Sequence, residues 1–279
     1  METPYGQPER PPTLDVGDVL GTTGRAIASN VATVAVIAAI CMIPSLVLDL
    51  VNAFVIMPAV TPSPAELTRS PLAMFSSGMF GALLASVAVG VLMGYVAQGA
   101  LVYATVEFLA GRHASVGAAL TKSVSRLLFV FIAGIIVAFC TCGGALLCLV
   151  PGIIIACVLY VAIPVIVVER AGPFEALNRS AELTKGYRMS IFLVALVVGV
   201  AAIVLMCGVG MATAPLKMAS PAAGLSAAPG PLDVVAILIQ WVVSIVTTVL
   251  FAVLPAVIYA KLRGIRDGID ASQLANVFS

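Results

Sequence analysis

The segment CTCGGALLC brings Cys140, Cys142 and Cys148 close together, and Cys41, Cys157 and Cys207 complete the thiols of this 279-residue chain. Closely spaced thiols would hold a metal ion or close a disulfide. A structural zinc site usually combines deprotonated cysteine with histidine. The one histidine, His113, lies elsewhere, on the opposite side of the membrane in the topology derived below. All six thiols fall in apolar runs, where low polarity favours the neutral thiol. They read as small, polarizable residues that let helices approach; no metal and no cofactor is expected. Among the acids, Glu107 in YATVEFLAGR and Glu169 in VIVVER close long apolar runs. A charge at the bilayer centre costs about 2.5–3.5 kcal/mol on insertion scales. Two readings follow: these acids line an inward cavity, or they pair with a nearby Lys or Arg. No acid sits near the centre of an apolar run, which argues against a proton-coupled pump. No nucleophile–base pair or metal set is legible, so no catalytic residue is assigned and no enzyme is expected.

The elements that carry these residues follow from composition. The chain is 61% hydrophobic and 10% charged, against about 25% charged in soluble domains. Its mean hydropathy is +1.15. With net charge +1 it offers no electrostatic footprint for nucleic acid. No alternating period suggests strands, so the expected fold class is all-α, a polytopic membrane protein. Arg126 and Glu169 bracket 42 residues without a charge. As one helix that stretch would run about 63 Å, twice the hydrocarbon core, so it must turn. CLVPG is the place, with Pro151 and Gly152 as the breakers. Six spans are expected, near 27–49, 79–107, 127–149, 152–168, 189–212 and 234–260. Residues 1–12 read as a disordered tail, 13–270 as a single membrane domain and 271–279 as a C-terminal tail. Pro-rich loops are expected near 50–78 and 213–232.

Orientation is read from basic residues. If the N-terminus is inside, twelve of the fourteen Lys and Arg residues fall on inner segments, leaving Arg69 and Lys217 outside. The positive-inside rule then places both termini in the cytoplasm and the protein in the inner membrane. Between spans four and five, GPFEALNRSAELTKGYR reads as a short amphipathic helix opened by Pro173, with Phe174, Ala176, Leu177, Ser180, Ala181, Leu183, Thr184 and Tyr187 on one face. Too short and polar to cross, it should lie in the interface. SVGAALTKSVSRLLF and LDVGDVLGTTGRAIASN share this grammar. The chain therefore reads as three units, about 13–112, 114–170 and 172–268, each an interface helix followed by a helical hairpin. Gly90 and Gly94, four apart in span two, would allow a close helix contact, within the chain or in a homo-oligomer. Gln240 and Trp241 read as interfacial.

The run VPGIIIACVLYVAIPVIVVERAGPFEALNRSAELTKGYRMSIF resembles the characteristic stretch of the glycerophosphoryl diester phosphodiesterase membrane-domain family and its six-span bacterial relatives. The matching positions are Pro151, Gly152, Pro164, Glu169, Ala176, Leu177, Arg179, Ser180, Leu183 and Thr184. In the tail AVIYAKLRGIRDGID, Tyr259, Leu262, Arg263, Gly268 and Asp270 match, while Lys261 stands where an acid is common. The resemblance implies a six-span fold in which Pro151, Gly152, Pro164, Leu177, Ser180 and Tyr259 are structural. It implies no activity, because the family's hydrolase is a separate domain with no counterpart here.

Two functions follow as expectations. The first is a non-catalytic accessory, scaffolding or membrane-organising protein that binds membrane lipids or protein partners through Arg179, Lys185, Arg188, Lys122, Arg126 and Arg263. The alternative is a transporter or channel for a small or lipidic solute, which would need a water-accessible cavity reaching Glu107 or Glu169.

Overall fold

In the computed structural model, residues 14–56, 68–70, 77–219 and 230–268 are described. Both expected tails, most of the two Pro-rich loops and Asp270 lie outside them. Among the described residues there is no strand, and the main helices are α1 (Val16–Ser29), α2 (Val31–Val51), α3 (Ser77–Leu109), α4 (Val116–Leu147), α5 (Leu149–Val158), α6 (Ala162–Glu169), α7 (Pro173–Thr184), α8 (Arg188–Ala219) and α9 (Pro231–Asp267). Six stretches are long and apolar enough to cross a membrane: Val31–Ile56, Phe80–Leu109, Val116–Leu146, Val150–Glu169, Arg188–Leu216 and Pro231–Asp267. The protein is a polytopic α-helical membrane protein. Helices suit such a chain because lipid offers backbone groups no partner.

Three features differ in detail from the sequence reading. The run near 115–129 is not a separate interface helix but the opening turns of α4, capped by Ser115 accepting from the Ala118 amide. Nothing between Lys122 and Leu127 breaks a helix, so polar turns and apolar span propagate as one element. The turn expected at CLVPG narrows to Cys148 alone, whose extended backbone ends α4 and starts α5. Pro151 and Gly152 therefore sit in the first turn of α5, where a proline amide is not required. The link is this short because α4 and α5 nearly touch: a Cβ on Gly152 would lie 2.7 Å from the Ala145 amide nitrogen, and one on Gly144 would lie 3.0 Å from the Gly152 Cα.

The third difference is a break inside span four. Pro164 has no amide to give the Tyr160 carbonyl, and the helix stops at Val158 and resumes at Ala162. The Ala162 amide turns back to the Leu159 carbonyl at 3.1 Å, so the Val158 carbonyl loses its ordinary helical donor. In an apolar setting an unmet carbonyl is costly. Ser180 and Thr184 of α7 supply the missing donors, with Oγ to Val158 O at 2.8 Å and Oγ1 to Val158 O at 3.2 Å.

The core gathers toward the end where α3, α6 and α9 finish. Ala100, Leu101 and Val102 of α3, Val165, Ile166 and Val168 of α6, and Leu254, Val257, Ile258 and Tyr259 of α9 are buried there. At the other end Phe80, Leu83 and Leu84, Ile203 and Val204, and Leu238 and Ile239 are exposed. Such an apolar belt suits a lipid environment and would be an aggregation hazard in water. The 37 residues of α9 span about 55 Å, well beyond a hydrocarbon core of about 30 Å. Its last turns, Lys261–Asp267, therefore form a charged projection.

Candidate functional site

Tyr259, Arg263 and Asp267 are four residues apart along α9 and share one face. The end of α6 and the polar face of α7 meet this face. Tyr259 Oη donates to Glu169 Oε1 at 2.8 Å and accepts from Arg263 Nη1 at 2.9 Å. Arg179 Nε lies 3.5 Å from Glu169 Oε2, and its Nη2 donates to Asp267 Oδ2. Arg263 Nε stands 3.5 Å from Asp267 Oδ2, too poorly aligned to count as a hydrogen bond. Glu169, Asp267 and two guanidiniums thus close a network around a fully buried tyrosine, with the exposed Glu182 3.8 Å from Arg179 at its edge. One turn on, Arg266 donates to the Lys185 carbonyl at the end of α7 and lies 5.9 Å from the Tyr187 ring centre. The arrangement staples three helices. Both Glu169 oxygens and Asp267 Oδ2 face a cation or the tyrosine hydroxyl.

Part of the set that carried the family resemblance meets here, while Pro151 and Gly152 lie at the α4–α5 turn. Glu169, Arg179, Tyr259 and Arg263 form the network, Ser180 and Thr184 hold the Val158 carbonyl, and Leu177 is half-buried beside them. Asp267 was not singled out from sequence, although its spacing of i+4 from Arg263 was the available signal. Phe174, placed on the apolar face of the wheel, is exposed; Ala176, Ser180, Leu183 and Thr184 are the buried residues of α7.

Glu107 is buried and closed by Arg112, whose Nε donates to Oε2 at 2.7 Å. A pocket beside Arg112, lined also by Ala26, Asn30 and Thr105, holds about 10 Å³, room for about one water. Trp241 is an interhelical anchor: its indole donates to the Met42 carbonyl of α2 at 3.0 Å. A Cβ on Gly90 or Gly94 would meet nothing within 4 Å, so among the described residues no close approach occurs at those positions. Cys140, Cys142, Cys148 and Cys207 are exposed, and no three His, Cys, Asp or Glu side chains among the described residues are placed to hold a metal ion.

The six basic residues expected to touch lipid or partner divide in two. Arg179 and Arg263 are held inside the network, their side chains 29% and 12% exposed. Lys122, Arg126, Lys185 and Arg188 form no ion pair among the described residues, and neither does Arg170. All five stand at the same end, at the starts of α4 and α8 and the ends of α6 and α7. On α1, Asp18 pairs with Lys261, which holds the Asp18 carboxyl below the usual carboxylate range. No family model matches the chain, and neither the curated proteins nor the solved structures contain a match.

Proposed function

We propose that this is a non-catalytic membrane-organising protein whose charged end engages anionic lipid headgroups, or partners assembled on them. The observation that carries the reading is the division of the cations. Among the described residues Arg112, Arg179, Lys261 and Arg263 are matched by carboxylates, whereas Lys122, Arg126, Arg170, Lys185 and Arg188 are not. A basic residue near an anionic membrane surface contributes about 1 kcal/mol of attraction. Five unmatched cations on one rim, above exposed apolar helix faces, suit that role. By the positive-inside rule we read this rim as the cytoplasmic one and the protein as an inner-membrane protein with both termini in the cytoplasm.

Transport is less well supported. Glu107 and Glu169, the acids that would line a solute path, are both closed by arginines.

The test is the lipid composition around the extracted protein. Polymer nanodiscs cut from the native membrane should be enriched in anionic lipid relative to the bulk. Lys185→Glu with Arg188→Glu should reduce that enrichment by about half, at unchanged protein yield. Equal lipid profiles for wild type and variant would defeat the proposal.

A further inference from the structure

Lys122, Ser125 and Arg126 of α4, Val167 of α6 and Arg170 beyond it line a cleft of about 310 Å³, within the range of small-molecule sites. Its charge is one-sided. Lys122 and Arg126 are one turn apart, Arg170 completes the set, and none has a carboxylate partner among the described residues. Glu169, adjacent in sequence, is occupied by Arg179, Tyr259 and Arg263. Three like charges lining one cleft repel one another, and an anion relieves that repulsion. The Ser125 hydroxyl donates to the Lys122 carbonyl at 2.8 Å, so the donors left for a ligand are the two guanidiniums and the ammonium.

The backbone supplies an independent observation. Arg170 has φ 56°, ψ 26°, and among the described residues it is the one non-glycine in the left-handed region. That conformation is unfavourable for an L-residue and free for glycine. Strain of this kind persists where the surroundings or the function impose it. Here it ends α6 and leaves an arginine in the cleft wall. Arg126 reaches the same point, its Nη1 3.5 Å from the Arg170 carbonyl and its guanidinium carbon 5.7 Å from the Phe129 ring centre. On the same helix Val124, Leu128 and Phe129 are exposed and apolar, so the cleft borders a surface suited to acyl chains.

We propose that this cleft is a discrete site for one phosphate group, that of an anionic phospholipid, held by Lys122, Arg126 and Arg170. Paired guanidiniums match phosphate oxygens bidentately and the ammonium adds a point charge. The exposed apolar strip favours a lipid source over free phosphate. The inference rests on the reading that this end meets anionic lipid, but it requires something narrower: a single saturable site and not a diffuse rim.

The experiment uses the full chain in a non-ionic detergent, titrated with phosphatidylglycerol and followed by native mass spectrometry. One lipid per chain should saturate first. Lys122→Gln with Arg126→Gln should weaken that first binding at least tenfold, and Arg25→Gln should leave it unchanged. Arg170→Gly separates site from scaffold: relief of the left-handed strain should raise Tm while the first binding weakens. If Arg170→Gly raises Tm and binds as wild type does, the site is overturned. Inorganic phosphate decides the source. Failure of 10 mM phosphate to displace the lipid supports a lipid site, whereas protection by phosphate with no saturable lipid binding assigns the cleft to free phosphate. If lipid binding is graded and the Lys122 and Arg126 variants change nothing, the discrete site fails. Anionic enrichment in native nanodiscs that depends on Lys185 and Arg188 would still stand.

Discussion

Glu169 shows how one side chain can look functional in a sequence and prove structural in the fold. A carboxylate closing a 42-residue uncharged run invites a transport role, and sequence offered pairing as the other choice. Its partners come from α7 and α9, with Arg179 on one oxygen and Tyr259 and Arg263 on the other. Pairing with a lysine or arginine of the interface helix was legible, because Arg179 lay on the polar side of the wheel. The contribution of α9 was not, because a contact across 90 residues leaves no local period. Removing Arg179 takes the nearer cation from two acids that are each about one-fifth exposed, leaving Arg263 to both. Losing one of several partners of a charged group costs roughly 1–3 kcal/mol. Arg179→Gln should therefore lower the thermal midpoint of the detergent-solubilised protein by that equivalent. Adding Glu169→Gln should cost less than the two single losses combined, since both remove one interaction. Strict additivity would mean that the network contributes nothing as a unit.

The elements were legible in proportion to how far local pattern controls them. Six membrane-crossing stretches follow from uncharged length alone, and all six are present. Where an element begins or breaks depends on neighbours. The wheel of residues 115–129 is amphipathic whether or not the helix stops at Leu127, so sequence did not reveal that α4 runs on to Leu147. Pro164 stood out in the sequence through the resemblance to a known family, but the break at 159–161 is stabilised by hydroxyls from α7. Likewise Gly90 and Gly94 carried the spacing of a helix contact, while the close approaches among the described residues are at Gly99, Gly134 and the pair Gly144 and Gly152, which lie four residues either side of Cys148. The two pairs make opposite predictions. Gly152→Ala places a methyl against the α4 backbone and should cost about 1–3 kcal/mol, read as a lower thermal midpoint. Gly90→Ala meets open space and should stay within about 0.5 kcal/mol of wild type. A neutral Gly152→Ala would show that α4 and α5 separate freely.

At the scale of the whole molecule, the first and last described helices hold each other. Asp18 on α1 pairs with Lys261 on α9 across 243 residues, and α1 buries Val19, Thr23 and Ala26 against the bundle. The contact fixes which face of α1 meets the protein, while Gly21, Gly24 and Arg25 remain exposed. Lys261 depresses the Asp18 carboxyl below its ordinary value. A depressed acid stabilises the folded arrangement above its unfolded value, about 3.9, and that contribution fades as pH falls through the lower folded value. The pair is exposed on the Asp18 side, so salt should weaken it too. In inverted vesicles, pepsin should cut α1 faster at pH 3 than at pH 5 once corrected for its rate on an unfolded substrate. Asp18→Asn should remove most of that difference, because its side chain does not titrate. Right-side-out vesicles should stay uncut under both conditions, since the proposed topology puts α1 on the cytoplasmic face. Cleavage from the outside would reverse the proposed orientation, and an unchanged pH ratio in Asp18→Asn would dismiss the clasp between the two ends.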